Sequence, residues 1–256
     1  EVRYPNFEGL NLTWELLEGL VKHNGPMVTR DAPMESLPAA FRQYANFMDL
    51  EPHQFAGPEA QVAALSDDIA YNNPDIDDGI AAGLFTVDDL MDLPIVGDVF
   101  RSVKLEYPHL KDRMVSYEAV RRLIGLWIND LTSETERRIK EYAPKSAADV
   151  RAMDVPLVAF SEELESRQRA LRAFLHERMY KHYTVNRMRS KAKRMLAELF
   201  DIFLKEPDTL PSLWRLDASQ ADEARRARIV CDYIAGMTDT YAIEEHRRLY
   251  HPDVLR

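Results

Sequence analysis

Apolar residues recur at helical spacing along most of the chain. From Ser116 to about Lys140, Val120, Leu123, Ile124, Trp127 and Leu131 predict one amphipathic helix. From Ser161 to about Leu204, Leu164, Leu171, Phe174, Leu175, Val185, Met188, Met195, Leu196, Leu199 and Phe203 predict one or two long helices. Val62, Leu65 and Ile69 predict another, beginning near Glu59. Asn11 reads as the N-cap of a first helix with Leu12, Trp14, Leu17, Leu20 and Val21 inward, stopped by Gly25-Pro26. Phe41, Tyr44, Ala45 and Met48 suggest a short helix. Thr86-Val87-Asp88-Asp89 is a capping pattern that predicts a helix from about Val87, closed by Asp92-Leu93-Pro94. Ser146 with Asp149 opens a small capped turn. Ser219 with Asp222 caps a last helix through Ile229, Tyr233, Ile234, Met237 and Tyr241. The run Val155 to Phe160 fits a short strand or a core-facing loop equally.

Composition narrows the class to all-α. Only nine glycines occur among 256 residues, against abundant helix formers. The single cysteine, Cys231, excludes an internal disulfide framework and fits a reducing cytoplasm. No apolar run approaches the roughly 18 residues of a membrane span, and the opening residues do not read as a signal peptide. A net charge of −10 favours solubility and gives no general attraction to nucleic acid. It leaves room for an anionic small molecule on a local cluster of Arg and Lys.

Two columns carry candidate chemistry. In a helix running through residues 67–75, Asp67, Tyr71 and Asp75 stand at i, i+4 and i+8 on one face. That wall offers a hard oxygen ligand for a divalent cation, an aromatic hydroxyl and a second carboxylate. It fits a solvated face as well. Pro74 lies inside the column, and proline deletes a backbone bond at a cost of about 3 kcal/mol. The helix therefore kinks or ends at Asn73, and in the second case Asp75 falls on a turn. The second column is Arg172, His176 and Tyr180, followed by His182. An Arg fork matches phosphate oxygens, and the other two side chains add donors on the same face. The cations from Lys181 to Lys193 read as a solvated face. No Gly-rich phosphate loop, GxSxG or HExxH motif occurs.

Asn11-Leu12-Thr13-Trp14-Glu15, Leu20-Val21-Lys22-His23-Asn24-Gly25-Pro26, Ala64-Leu65-Ser66-Asp67-Asp68-Ile69-Ala70-Tyr71-Asn72-Asn73 and Asp232-Tyr233-Ile234-Ala235-Gly236-Met237-Thr238-Asp239 resemble bacterial deoxyguanosinetriphosphate triphosphohydrolase-like proteins of the HD superfamily. The resemblance implies an HD-type helical bundle, with residues 1–140 ending its core and 141–256 forming a helical C-terminal region packed on it. It implies hydrolysis of a dNTP to deoxynucleoside and inorganic triphosphate, a divalent metal (Mg or Mn) and a homo-oligomer. Asp67 matches the last metal ligand of that superfamily, and Tyr71 and Asp75 match positions that recognise the deoxyribose and its 3′-hydroxyl. The helix around Arg172 is similar to one in eukaryotic SAM-and-HD-domain relatives. There the Arg holds the triphosphate, His176 matches a lining position, and the residue at Tyr180 packs on sugar or base. Lys22 matches a lysine expected near the phosphates.

The sequence departs from that pattern in places. The first His and the His-Asp pair of the metal motif are not among these residues, and the chain opens on Glu1 rather than Met. It therefore reads as part of a longer polypeptide and is expected to be inactive alone. Pro74 replaces a residue that is often His, and Thr240 stands where many relatives carry Arg. A non-catalytic helical module that binds nucleotide or builds an oligomer is the alternative, and a phosphomonoesterase a third.

Overall fold

The protein is described here by a computed structural model of residues 5–6, 10–33, 36–38, 41 and 47–251. Among the described residues ten α-helices follow one another, with no strand. They are α1 (Trp14–Lys22), α2 (Pro58–Ala81), α3 (Val96–Glu106), α4 (Asp112–Tyr142), α5 (Ala147–Arg151), α6 (Glu162–Leu175), α7 (Tyr183–Lys205), α8 (Ser212–Gln220), α9 (Glu223–Ala235) and α10 (Asp239–Tyr250). The all-α expectation holds. The run Val155–Phe160 is loop, with Leu157, Val158 and Phe160 buried. The chain divides into two compact units, residues 1–179 and 180–256.

In the first unit α2 and α4 form the main packed pair, with α1 and α6 against α2 and α3 against α4. Ile69 and Ile76 from α2 and Ala119, Leu123 and Trp127 from α4 are buried. Polar locks fix the register of the pair. Trp127 Nε1 donates to Asn73 Oδ1 at 3.1 Å, and Ser116 Oγ donates to Asp77 Oδ1 at 2.9 Å.

Those locks explain Pro74. The helix neither ends nor leaves Asp75 on a turn; α2 continues to Ala81. Asn72 and Asn73 direct their side-chain amides back to the carbonyls of Asp68 and Ile69, both at 2.8 Å, supplying extra donors to the turn before the proline. The lost backbone bond is thus offset by side chains and by packing on α4. Asn73→Leu should leave the buried Trp127 N–H without an acceptor and destabilise the fold by about 1–3 kcal/mol. Urea unfolding checks it, and an unchanged midpoint would show that the lock contributes nothing.

Several elements differ from expectation. Thr13, not Asn11, caps α1, accepting from the Leu16 N–H at 3.3 Å, while Asn11 sits at φ 53°. Leu17 and Val21 of α1 pack on Leu37 and Leu50 as expected, but the fully buried residues of the helix are Glu18 and Lys22, and Leu20 is 61 % exposed. The Thr86–Asp89 capping bonds form, but only one 3-10 turn (Asp88–Leu90) follows. The helix in that region is α3, which starts after Pro94: the Val96 N–H reaches back to the Pro94 carbonyl at 2.7 Å, with Ile95 at φ 66° in a γ-turn. The helix expected from Phe41 falls largely outside the described residues.

On α4, Glu118 binds Arg121 and Arg122, and Glu134 binds Arg137 and Arg138. These guanidinium hydrogen bonds lower both carboxyls from the usual 4.5 to about 2. A carboxyl depressed in the folded state stabilises fully above its unfolded value and loses that contribution as pH falls through the folded one. The urea midpoint should therefore fall between about pH 4.5 and pH 2, and a flat profile across that window would contradict the pairing.

In the second unit Leu199 and Phe203 of α7, Leu210, Ala218 of α8, Val230 and Tyr233 of α9 and Ala242 of α10 form one core. Phe203 meets Tyr233 edge-on, ring centres 5.3 Å apart. The last helix expected from Ser219 is α9, capped by Asp222, and Thr238 caps α10 separately.

Candidate functional site

Because α2 runs unbroken past Pro74, Asp67, Tyr71 and Asp75 keep the helical spacing read from the sequence. Asp67 is exposed, with no polar partner among the described residues, Tyr71 is 64 % exposed and Asp75 is half-buried. Asp67 fits as one oxygen ligand of a hard cation. No group of three His, Cys, Asp or Glu that could hold a metal occurs among the described residues.

One residue further, about 100° round the helix, Asp68 turns toward α6. Its carboxylate Oδ2 stands 4.0 Å from Arg172 Nη1. Both groups line a cavity of about 300 Å³ within the first unit. Its α2 side is Gln61, Ala64, Leu65 and Asp68, and the end of α1 contributes His23 and Asn24. The Gln61 amide is buried and bonded at both ends: Nε2 donates to the Ala56 carbonyl, and Oε1 accepts from the N–H groups of Leu157 and Val158. That clamp holds the buried loop after α5 against α2. His23 Nδ1 lies 3.0 Å from the Gly19 carbonyl, which only accepts; in the neutral ring Nδ1 therefore carries the proton and Nε2 accepts from Asn24 Nδ2.

Arg172 is fixed from its own helix. Its Nη2 donates to Oε1 of Gln168, one turn earlier and 1 % exposed, at 2.8 Å. The column beyond it is not a continuous α-helix. α6 ends at Leu175 and residues His176–Tyr180 form a π-turn, a widened coil that no spacing in the sequence signals. His176 is exposed there, and Tyr180 is half-buried and opens the second unit. Within the first unit the turn is pinned: Arg178 Nη2 donates to Asp89 Oδ1 at 2.9 Å, and Phe174 meets Phe85 edge-on at 5.1 Å. Hydrogen bonds from the Thr86 N–H and hydroxyl, with the Arg178 charge behind them, hold the Asp89 carboxyl below the usual range.

Lys22 is engaged elsewhere than at a phosphate in this structure. It is fully buried, bonded to Glu18 Oε1 at 2.9 Å and to the Glu51 carbonyl at 3.2 Å. The residues that sequence reasoning passed over are Asp68, Gln168 and Gln61. Gln168 carries the signal of standing one turn before Arg172, whereas the partners of Asp68 and Gln61 lie about a hundred positions away.

With this geometry in place, known proteins align as follows. The model of a phosphohydrolase-associated domain matches residues 158–248. A deoxyguanosinetriphosphate triphosphohydrolase-like protein of Parvibaculum lavamentivorans is 58 % identical over 250 residues, covering 98 % of this chain and 63 % of the relative. The protein of the same description from Caulobacter vibrioides is 55 % identical over 254 residues, covering 99 % and 64 %. One from Mesorhizobium japonicum is 44 % identical over 254 residues, covering 98 % and 62 %. The chain spans less than two thirds of the length of these curated relatives.

Proposed function

The chain is a homologue of the deoxyguanosinetriphosphate triphosphohydrolase-like proteins, and from that kinship we propose that the full-length protein hydrolyses deoxynucleoside triphosphates to deoxynucleoside and inorganic triphosphate. The observation that carries the reading is the meeting of the α2 and α6 residues at one cavity, Arg172 facing Asp68 next to Asp67. A divalent ion, Mg or Mn, would polarise the phosphate and activate water when bound. Asp67 would give it one oxygen ligand.

This chain's own side chains bind and orient. Arg172 offers a planar fork to the triphosphate, and its charge offsets that of the leaving group. Farther along α2, the Asp75 carboxylate accepts from a sugar 3′-hydroxyl and the Tyr71 ring covers the sugar. Crowding there excludes a 2′-hydroxyl. Tyr180 packs on the sugar or base and His176 lines the site. Lys22 acts through position, its ion pair holding the end of α1 from which His23 and Asn24 reach the cavity rim. The protein works as a homo-oligomer in the cytoplasm.

The test is an assay of the full-length protein against all four dNTPs with Mg²⁺, with Mn²⁺ and with chelator, reading the products. Free triphosphate and deoxynucleoside are expected. Release of orthophosphate or of a nucleoside monophosphate would overturn the reading. Nucleotide binding without turnover would favour a regulatory module.

A further inference from the structure

Arg172 stands between two acceptors. On one side is the buried Gln168 amide oxygen, in hydrogen-bond contact at 2.8 Å; on the other is the Asp68 carboxylate, 4.0 Å away. Charge alone would settle the guanidinium on Asp68, because a carboxylate attracts it more strongly than a neutral amide does and accepts two parallel bonds. Both side chains are half exposed and have room to close that gap. The guanidinium does not close it; it stays on the amide, the group in place to hold it back.

Gln168 is well suited to that task. It sits on the inner face of α6 between the buried Leu164 and Leu171, where a polar group without a partner is costly. Its spacing of four residues to Arg172 is the one at which helix side chains meet. We propose that Gln168 is a positioning residue: it holds the Arg172 fork off Asp68, leaving the remaining N–H groups open to the cavity for a phosphate chain. Asp68 is then the internal competitor for that fork. An anion of several charges displaces the pull of one carboxylate where a singly charged one does not, so the arrangement selects di- and triphosphates over monoanions. The inference rests on the phosphate role given to Arg172 above.

The experiment uses the full-length protein and two readouts, steady-state kinetics with dNTP and binding of inorganic triphosphate by calorimetry. Arg172→Ala tests the underlying role and should weaken both about tenfold or more. Gln168→Met keeps the side-chain volume but removes the acceptor; the freed fork closes on Asp68, so KM and the triphosphate Kd should rise about tenfold while kcat changes less than about threefold. Adding Asp68→Asn to that variant should restore both values to within about threefold of the parent, which a structural role of Gln168 alone would not do. Gln168→Glu serves if the Met variant does not fold: it keeps the contact but neutralises the fork, and it should weaken triphosphate binding as well. If Arg172→Ala weakens binding and neither Gln168 variant does, the positioning role is overturned and the phosphate role stands. A Gln168→Met defect that Asp68→Asn leaves uncorrected also overturns it. If Arg172→Ala changes neither readout, it is the phosphate role that fails.

Discussion

Turnover of dNTP by the full-length protein should fall at least about a thousandfold on Asp67→Ala, with the urea midpoint unchanged. The side chain is exposed and has no polar partner among the described residues. Surface changes of that kind stay within about 0.5 kcal/mol of the parent. A thousandfold corresponds to about 4 kcal/mol of transition-state stabilisation, the order that a Lewis-acid ion supplies. Loss of activity without loss of stability therefore separates a ligand from a structural carboxylate. Mn²⁺ binding by equilibrium dialysis gives the second readout and should weaken in parallel. Full activity, or undiminished Mn²⁺ affinity, would remove Asp67 from the ligand set. Asp68→Asn is the neighbouring control. It removes a carboxylate one position away and should leave Mn²⁺ binding intact, because Asp68 points to Arg172 rather than along the Asp67 face.

What the sequence made legible follows from the range of each interaction. The spacing of Asp67, Tyr71 and Asp75 is a local property of a 3.6-residue helix, and it survives in α2. The fate of Pro74 is not local. Whether a helix breaks at proline depends on what repairs it, and here Trp127, 54 positions away, donates to Asn73 while Asn72 and Asn73 bond backward. The Arg172 column failed past Leu175 because a π-turn leaves no periodic mark. Asp68 and Arg172 meet only because α2 packs on α6. Lys22 was assigned by its resemblance to a phosphate lysine; its burial arises from Glu18, four positions back, and from Arg151, which is remote in sequence from both.

That remote contact leads to the largest expected stability effect. Glu18 is 1 % exposed, and its carboxylate accepts from Lys22 Nζ at 2.9 Å, from Arg151 Nε at 2.8 Å and Nη2 at 2.9 Å, and from the Gly57 N–H at the start of α2 at 3.4 Å. Burial by itself raises its pKa, but the hydrogen bonds and charges of Arg151 and Lys22 outweigh it and leave the carboxyl below its usual range. Its stabilisation is therefore complete above about pH 4.5 and lost as pH falls through the lower folded value. Glu18→Ala leaves a fully buried ammonium facing a guanidinium with no anion between them, which should destabilise the chain by about 3–5 kcal/mol. Lys22→Met should cost less, because Glu18 keeps the bidentate Arg151 pair. The double variant Glu18→Ala with Lys22→Met should cost less than the sum, since removing both charges also removes their desolvation penalty. Urea unfolding of the four proteins closes that cycle, and strict additivity would mean the pair does not interact. Triphosphate binding by Lys22→Met answers a different point: a lysine that touches phosphate weakens binding without lowering the midpoint, whereas one that anchors α1 lowers the midpoint and shifts binding only as the His23–Asn24 rim loosens.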